Sequence, residues 1–147
     1  MNLKKAGVIG VILWVIIFLE VSLLNFTLIS MGEALRYSIH YIFLALITII
    51  GCNYYFNKTK ERKAKKKAKE KIFANPMEGI KAGVIFIATG IILDVIVTVP
   101  FFMQFDYTSF FMDYTLLIGY LEILIIGGII GAVKEKRGAG YYKIKKK

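Results

Sequence analysis

Four long apolar runs, broken by three polar interruptions of unequal length, organise the chain: about 6–29, 34–55, 79–102 and 111–133. Each is roughly 20 residues or more, and a helix rising ~1.5 Å per residue then crosses ~30 Å of hydrocarbon. A water-facing helix of this length carries a polar stripe at three- and four-residue spacing. None of the four runs has one. The pattern predicts an all-α, polytopic membrane protein whose four transmembrane helices form two hairpins packed as a bundle. The first hairpin takes residues 1–57, with helices about 6–29 and 34–57. A connection follows at 58–75, then a second hairpin at 76–133, with helices about 76–102 and 111–133, and a tail at 134–147. The first run is too long for the apolar segment of a cleaved signal, and no small-x-small site follows it, so it is expected to remain as a helix.

Local signals sharpen the boundaries. Ser30-Met31-Gly32-Glu33 has the spacing of a capping box opening the second helix. Asn75, Pro76 and Glu78 supply an N-cap, a proline in the first turn and an early acid for the third helix. Pro100 is expected to kink or finish that helix, because proline has no N–H and its ring crowds the preceding turn.

Composition agrees with the pattern: 57% of the 147 residues are hydrophobic, and the mean hydropathy is +0.62. Charge adds an orientation. Lys4 and Lys5 precede the first run, ten basic residues lie between Lys58 and Lys81, and seven follow from Lys134. Only Arg36 of the 20 basic residues falls on the other side. The positive-inside rule therefore expects both termini and the central connection in the cytoplasm, in a plasma (cell) membrane. The connection is rich in Lys, Ala and Glu and polar all round. Lys63, Lys65, Lys66 and Lys67 are expected to meet anionic lipid headgroups. No aromatic residues alternate with these lysines, so nucleic acid is not an expected partner.

The chain also matches itself. Lys5-Ala6-Gly7-Val8-Ile9 recurs as Lys81-Ala82-Gly83-Val84-Ile85, an offset of 76. The same offset pairs Ile47, Ile49, Ile50 and Gly51 with Ile123, Ile125, Ile126 and Gly127, and Lys58 and Lys60 with Lys134 and Lys136. A duplicated hairpin crosses the membrane twice, so both copies face the same way. That predicts a parallel repeat with a pseudo-two-fold axis along the membrane normal.

The chemistry lies in polar residues within the apolar runs. Measured from the nearest basic residue, Glu20, Asp94 and Glu122 sit at about 22, 20 and 18 Å depth, a single layer. Ionised acids are costly in lipid, so each must be paired, protonated, or turned to protein or water. Two readings follow. The layer, with Thr98 and Tyr120, could bind a cation or proton for transport or ion conduction. Alternatively, the acids hydrogen-bond between helices in a non-catalytic membrane subunit or scaffold. Arg36 and His40, one turn apart, and Glu33 are candidates for an outer gate. The plainer expectation pairs Arg36 with Glu33 or an outer Asp. Trp14, in the middle of its helix, is expected to pack in the core. Gly127 and Gly131 form a GxxxG, a candidate face for a second copy. One cysteine, Cys52, excludes an internal disulfide, and one histidine leaves no zinc-ligand pattern. No cofactor is expected. No nucleophile constellation or phosphate-binding loop is visible, so an enzyme is not the preferred reading.

Overall fold

The computed structural model describes residues 1–27, 32–65 and 75–144, with side chains over 1–26, 32–56 and 75–135. It is helical throughout, with no strand among the described residues. Helix α1 runs Leu3–Thr27, α2 Glu33–Lys65 and α3 Pro76–Leu93. A π-helical turn, Asp94–Thr98, joins α3 to the short α4, Val99–Phe102. The brief α5, Tyr107–Phe111, leads into α6, Tyr114–Ile144. Four stretches are long and apolar enough to cross a membrane: Leu3–Phe26, Glu33–Phe56, Pro76–Phe102 and Tyr114–Glu135. Their outward faces carry Val8, Ile12, Ile42, Leu46, Ile50, Val84, Ile92, Leu121, Ile125 and Ile129, all exposed. An apolar exterior of that extent would aggregate in water, and it marks an integral membrane protein.

The start of α3 follows its local signals. Asn75 Oδ1 accepts from the Glu78 amide at 2.6 Å, and Pro76 takes the first turn. Ser30, of the expected capping box, lies outside the described residues, but α2 does begin at Glu33. Two helices run beyond their apolar stretches, α2 to Lys65 and α6 to Ile144. The α2 extension is rich in Lys and Arg, good helix formers, whereas that of α6 mixes basic residues with Gly and Tyr. Lys66 and Lys67 fall outside the described residues.

Pro100 widens the helix before ending it. The Val99 amide reaches back to the Asp94 carbonyl, five residues away, opening the π turn ahead of the proline ring. After Phe102 the chain reverses through Gln104 and Phe105, with φ of 49° and 66°. The Phe105 amide closes this turn on the Val99 carbonyl at 3.2 Å. The left-handed backbone at two residues other than glycine makes it a costly reversal.

Around the bundle the order is α1, α3, α6, α2, with α1 and α6 on opposite corners. The expected pseudo-two-fold is not apparent in this order. A half-turn about the normal exchanges opposite corners, whereas the matching helices, α1 with α3 and α2 with α6, are neighbours.

The two ends of the bundle differ. At the basic end, near Asn2, Tyr55, Asn75 and Gly131, packing is close. Gly79 of α3 lies against Gly127 of α6, where a Cβ on Gly127 would stand 2.7 Å from the Gly79 carbonyl oxygen. Gly131 abuts the Asn75 carbonyl. Thus the GxxxG face offered by the sequence to a second copy is filled within the chain by the first turn of α3. Ala6, Ile9, Leu13, Ile47, Cys52, Tyr55, Ala82 and Phe86 build the core beside it. The Tyr55 hydroxyl, buried, donates to Glu78 Oε1 at 2.9 Å and accepts from the Asn2 amide at 3.1 Å. Lys5 Nζ donates to the carbonyls of Tyr54 and Tyr55. These bonds tie α1, α2 and α3 together. Towards the far end the helices part.

Candidate functional site

Between the parted helices lies a cavity of about 440 Å³. Its floor is formed by Leu13, Leu44, Thr48, Phe86 and Ile123, close above the sealed end. Its upper lining reaches Asn25, Arg36 and Asp113, and Asn25 and Asp113 are exposed, so the cavity opens at the far end. Separation of the helices there is set by residue size. Gly10 lets α1 approach α3 near the floor, where an added Cβ would meet Thr89 Cβ at 2.9 Å. Above that crossing Trp14 and Phe18 stand between the helices, their rings stacked at 5.2 Å, and hold them apart.

Asp94 is the polar centre of this cavity. The Trp14 indole N–H donates to Asp94 Oδ1 at 2.8 Å, and the Thr98 hydroxyl donates to the same oxygen at 2.7 Å. The second bond spans one turn of the π-helical segment, so the widened backbone and the acid form one feature. Wide turns of this kind recur at functional positions. Oδ2 accepts from no donor among the described residues. Tyr120 on α6 also lines the cavity within electrostatic reach of Asp94. Its hydroxyl is buried and has no partner among the described residues.

A second polar pair closes the side between α1 and α2. His40 Nδ1 lies 2.8 Å from Glu20 Oε2, and Glu20 Oε1 is buried without a partner among the described residues. His40 lines the cavity and is also within electrostatic reach of Glu122. Glu122 itself belongs to a shallow groove between α2 and α6, with Tyr41, Ile118, Leu121, Ile125 and Ile126. Its Oε2 is likewise buried without a partner among the described residues.

The three acids that the sequence assigns to one layer therefore have three different surroundings. Asp94, with Thr98 and Tyr120, is in the cavity; Glu20 pairs with His40, which lines it; Glu122 is in the groove between α2 and α6. Arg36 lines the mouth, where Nη1 donates to Asn25 Oδ1 at 3.4 Å and Nε has no partner among the described residues. The expected pairing of Arg36 with Glu33 or an outer Asp is not formed, since Asn25 of α1 takes its place and Glu33 is exposed. His40, grouped with Arg36 by sequence, pairs instead across to α1. Trp14, expected as plain core, is a hydrogen-bond donor to the central acid. Asp113, at the mouth, caps α6 by accepting from the Thr115 amide and hydroxyl at 2.8 and 2.7 Å.

No family model, no characterised protein and no solved structure matches the chain.

Proposed function

We propose that the chain is a small transporter or ion-conducting protein that works on a cation or proton at Asp94. The observation that carries this reading is an acid in the bilayer-spanning region that lines a cavity and keeps one carboxylate oxygen uncommitted. Burying an acid in this way is expensive, and intramembrane acids commonly mark ion or substrate pathways. With the basic end in the cytoplasm, as the distribution of 19 of 20 basic residues implies, the cavity opens to the outer face. The Tyr55–Glu78 contacts and the Gly79–Gly127 crossing then form the inner closure. Lys63, Lys65, Lys66 and Lys67 would lie at the inner headgroups.

The sequence repeat fits a duplicated hairpin laid beside its copy by a shift in the membrane plane, since α1 lies next to α3 and α2 next to α6. Gly51 and its match Gly127 support this: each faces the other helix of its own hairpin, Gly51 towards Ile9 and Leu13, Gly127 towards Gly79.

A second reading, a membrane subunit without transport activity, is favoured by Glu122 alone. An acid in a shallow groove is what a partner helix would cover. Flux in liposomes separates the two. Transport at Asp94 requires proton or cation flux in the parent protein that collapses in Asp94→Asn. Absent parent flux, or flux indifferent to that substitution, would remove the first reading. The second would then require that Glu122→Gln change the assembly state in mild detergent.

A further inference from the structure

We infer that the cavity is a binding site for a monovalent organic cation, a protonated amine with an aromatic or branched apolar body, whose ammonium group donates to Asp94 Oδ2. This rests on the reading of Asp94 as the working acid and names what it binds.

Size comes first. A cavity of about 440 Å³ falls within the ~300–1,000 Å³ of sites that enclose small organic ligands. A bare metal ion would leave most of that space unfilled. Donor chemistry points the same way. A hard cation such as Ca²⁺ gathers about six to eight oxygens. Around Asp94 the cavity offers Oδ2 and the hydroxyls of Thr98 and Tyr120. No group of three or more His, Cys, Asp or Glu side chains gathers among the described residues. An ammonium needs fewer acceptors, because its apolar body can take its contacts from carbon walls.

The walls suit that body. Trp14, Phe18, Phe86 and Tyr120 present aromatic surface around the acid. Aromatic faces attract cations by ~0.5–2 kcal/mol and also accommodate flat apolar groups. The carboxylate is already oriented, with both protein donors on Oδ1. A ligand N–H therefore meets a fixed acceptor and displaces no protein hydrogen bond. The unpartnered Tyr120 hydroxyl gives a second polar contact. Arg36 and Asp113 both line the mouth, so the choice between cation and anion falls to Asp94 deeper in the cavity.

Trp14 is the single tryptophan of the chain, so its fluorescence reports occupancy from inside the cavity. The test uses the full chain in lipid nanodiscs, titrated with 2-phenylethylammonium, its uncharged isostere propylbenzene, and 3-phenylpropionate. The amine is expected to change Trp14 emission saturably, with the other two at least about tenfold weaker. Asp94→Asn should weaken amine binding about tenfold or more, the scale of one charged hydrogen bond. It keeps an acceptor for Trp14 and Thr98, so the fold should hold. Tyr120→Phe, a second variant, should weaken binding a few-fold.

Equal responses to amine and propylbenzene, no saturable response to the amine, or indifference to both substitutions would each overturn the inference. Asp94-dependent proton or sodium flux without amine binding would overturn it while leaving the transport reading intact. Amine binding in a protein that carries no flux would do the reverse.

Discussion

The two halves of this bundle are made of the same kinds of helix and reach opposite results. At the basic end, Gly79, Gly127 and Gly131 bring α3 and α6 to backbone contact. At the far end Trp14, Phe18 and Tyr120 occupy the corresponding space and leave a cavity around Asp94. Lipid supplies little hydrophobic drive between helices, so side-chain size decides where they close and where they part. Small residues make a seal. Large aromatic ones make a chamber. A single bundle thus carries a rigid closure and a polar opening along one axis.

The sharpest way to break this contrast is to enlarge a glycine in the seal. A side chain on Gly79 would run into the backbone of Gly127, which cannot rotate away. Gly79→Leu is expected to cost about 3 kcal/mol or more, at or above the usual range for overpacking, read as loss of folded protein in detergent thermal unfolding. Gly7 has nothing within 4 Å of an added Cβ. Gly7→Ala should therefore be neutral, or stabilising by up to ~1 kcal/mol through helix propensity. Equal damage at both sites would mean that the close crossing is not what holds the basic end.

In the chamber, Asp94→Leu should cost about 1–3 kcal/mol, because the Trp14 N–H and the Thr98 hydroxyl lose their acceptor inside the protein. Asp94→Asn should cost much less, since its Oδ1 can still accept both. If the two variants unfold alike, the acid's bonds are not structural. Back in the seal, Tyr55→Phe removes the hydroxyl that links Asn2 to Glu78. A loss of about 1 kcal/mol is expected, with faster amide exchange at the start of α1.

The smallest effect lies outside both halves. Asp106 caps α5, and its Oδ1 accepts from the Ser109 amide at 3.0 Å. Bonding to Ser109 holds its carboxyl below the ordinary aspartate range. A lowered folded value means that the cap contributes above the ordinary aspartate pKa and is lost as pH falls through the lowered value. Protection of the Ser109 amide from hydrogen exchange should follow that curve, and a flat profile would contradict it.

The spans were legible in the sequence because a run of about 20 apolar residues has few alternatives in physical terms. The Asn75 cap was legible because its geometry is local. An expected depth for Glu20, Asp94 and Glu122 follows from the fixed rise per residue. Their partners do not follow from it. Which helix each acid faces depends on how the helices are rotated and ordered, and near-uniform apolar surfaces such as that of α1 leave rotation unmarked. For that reason Trp14 read as core filler and His40 as a companion of Arg36. The GxxxG on α6 shows the same limit: the motif announces a close contact without saying whether the partner is α3 or another chain.

The central claim is that the far half is a chamber open to the outer face and the basic half a closed seal, and thiol labelling across an intact membrane tests it directly. Leu116 lines the cavity, whereas Cys52, the one native cysteine, is buried towards the basic end. A membrane-impermeant maleimide added outside intact cells should leave the parent protein unlabelled and react with Leu116→Cys made in a Cys52→Ala background. Labelling of Cys52 from outside, or no reaction at Leu116→Cys, would contradict the account.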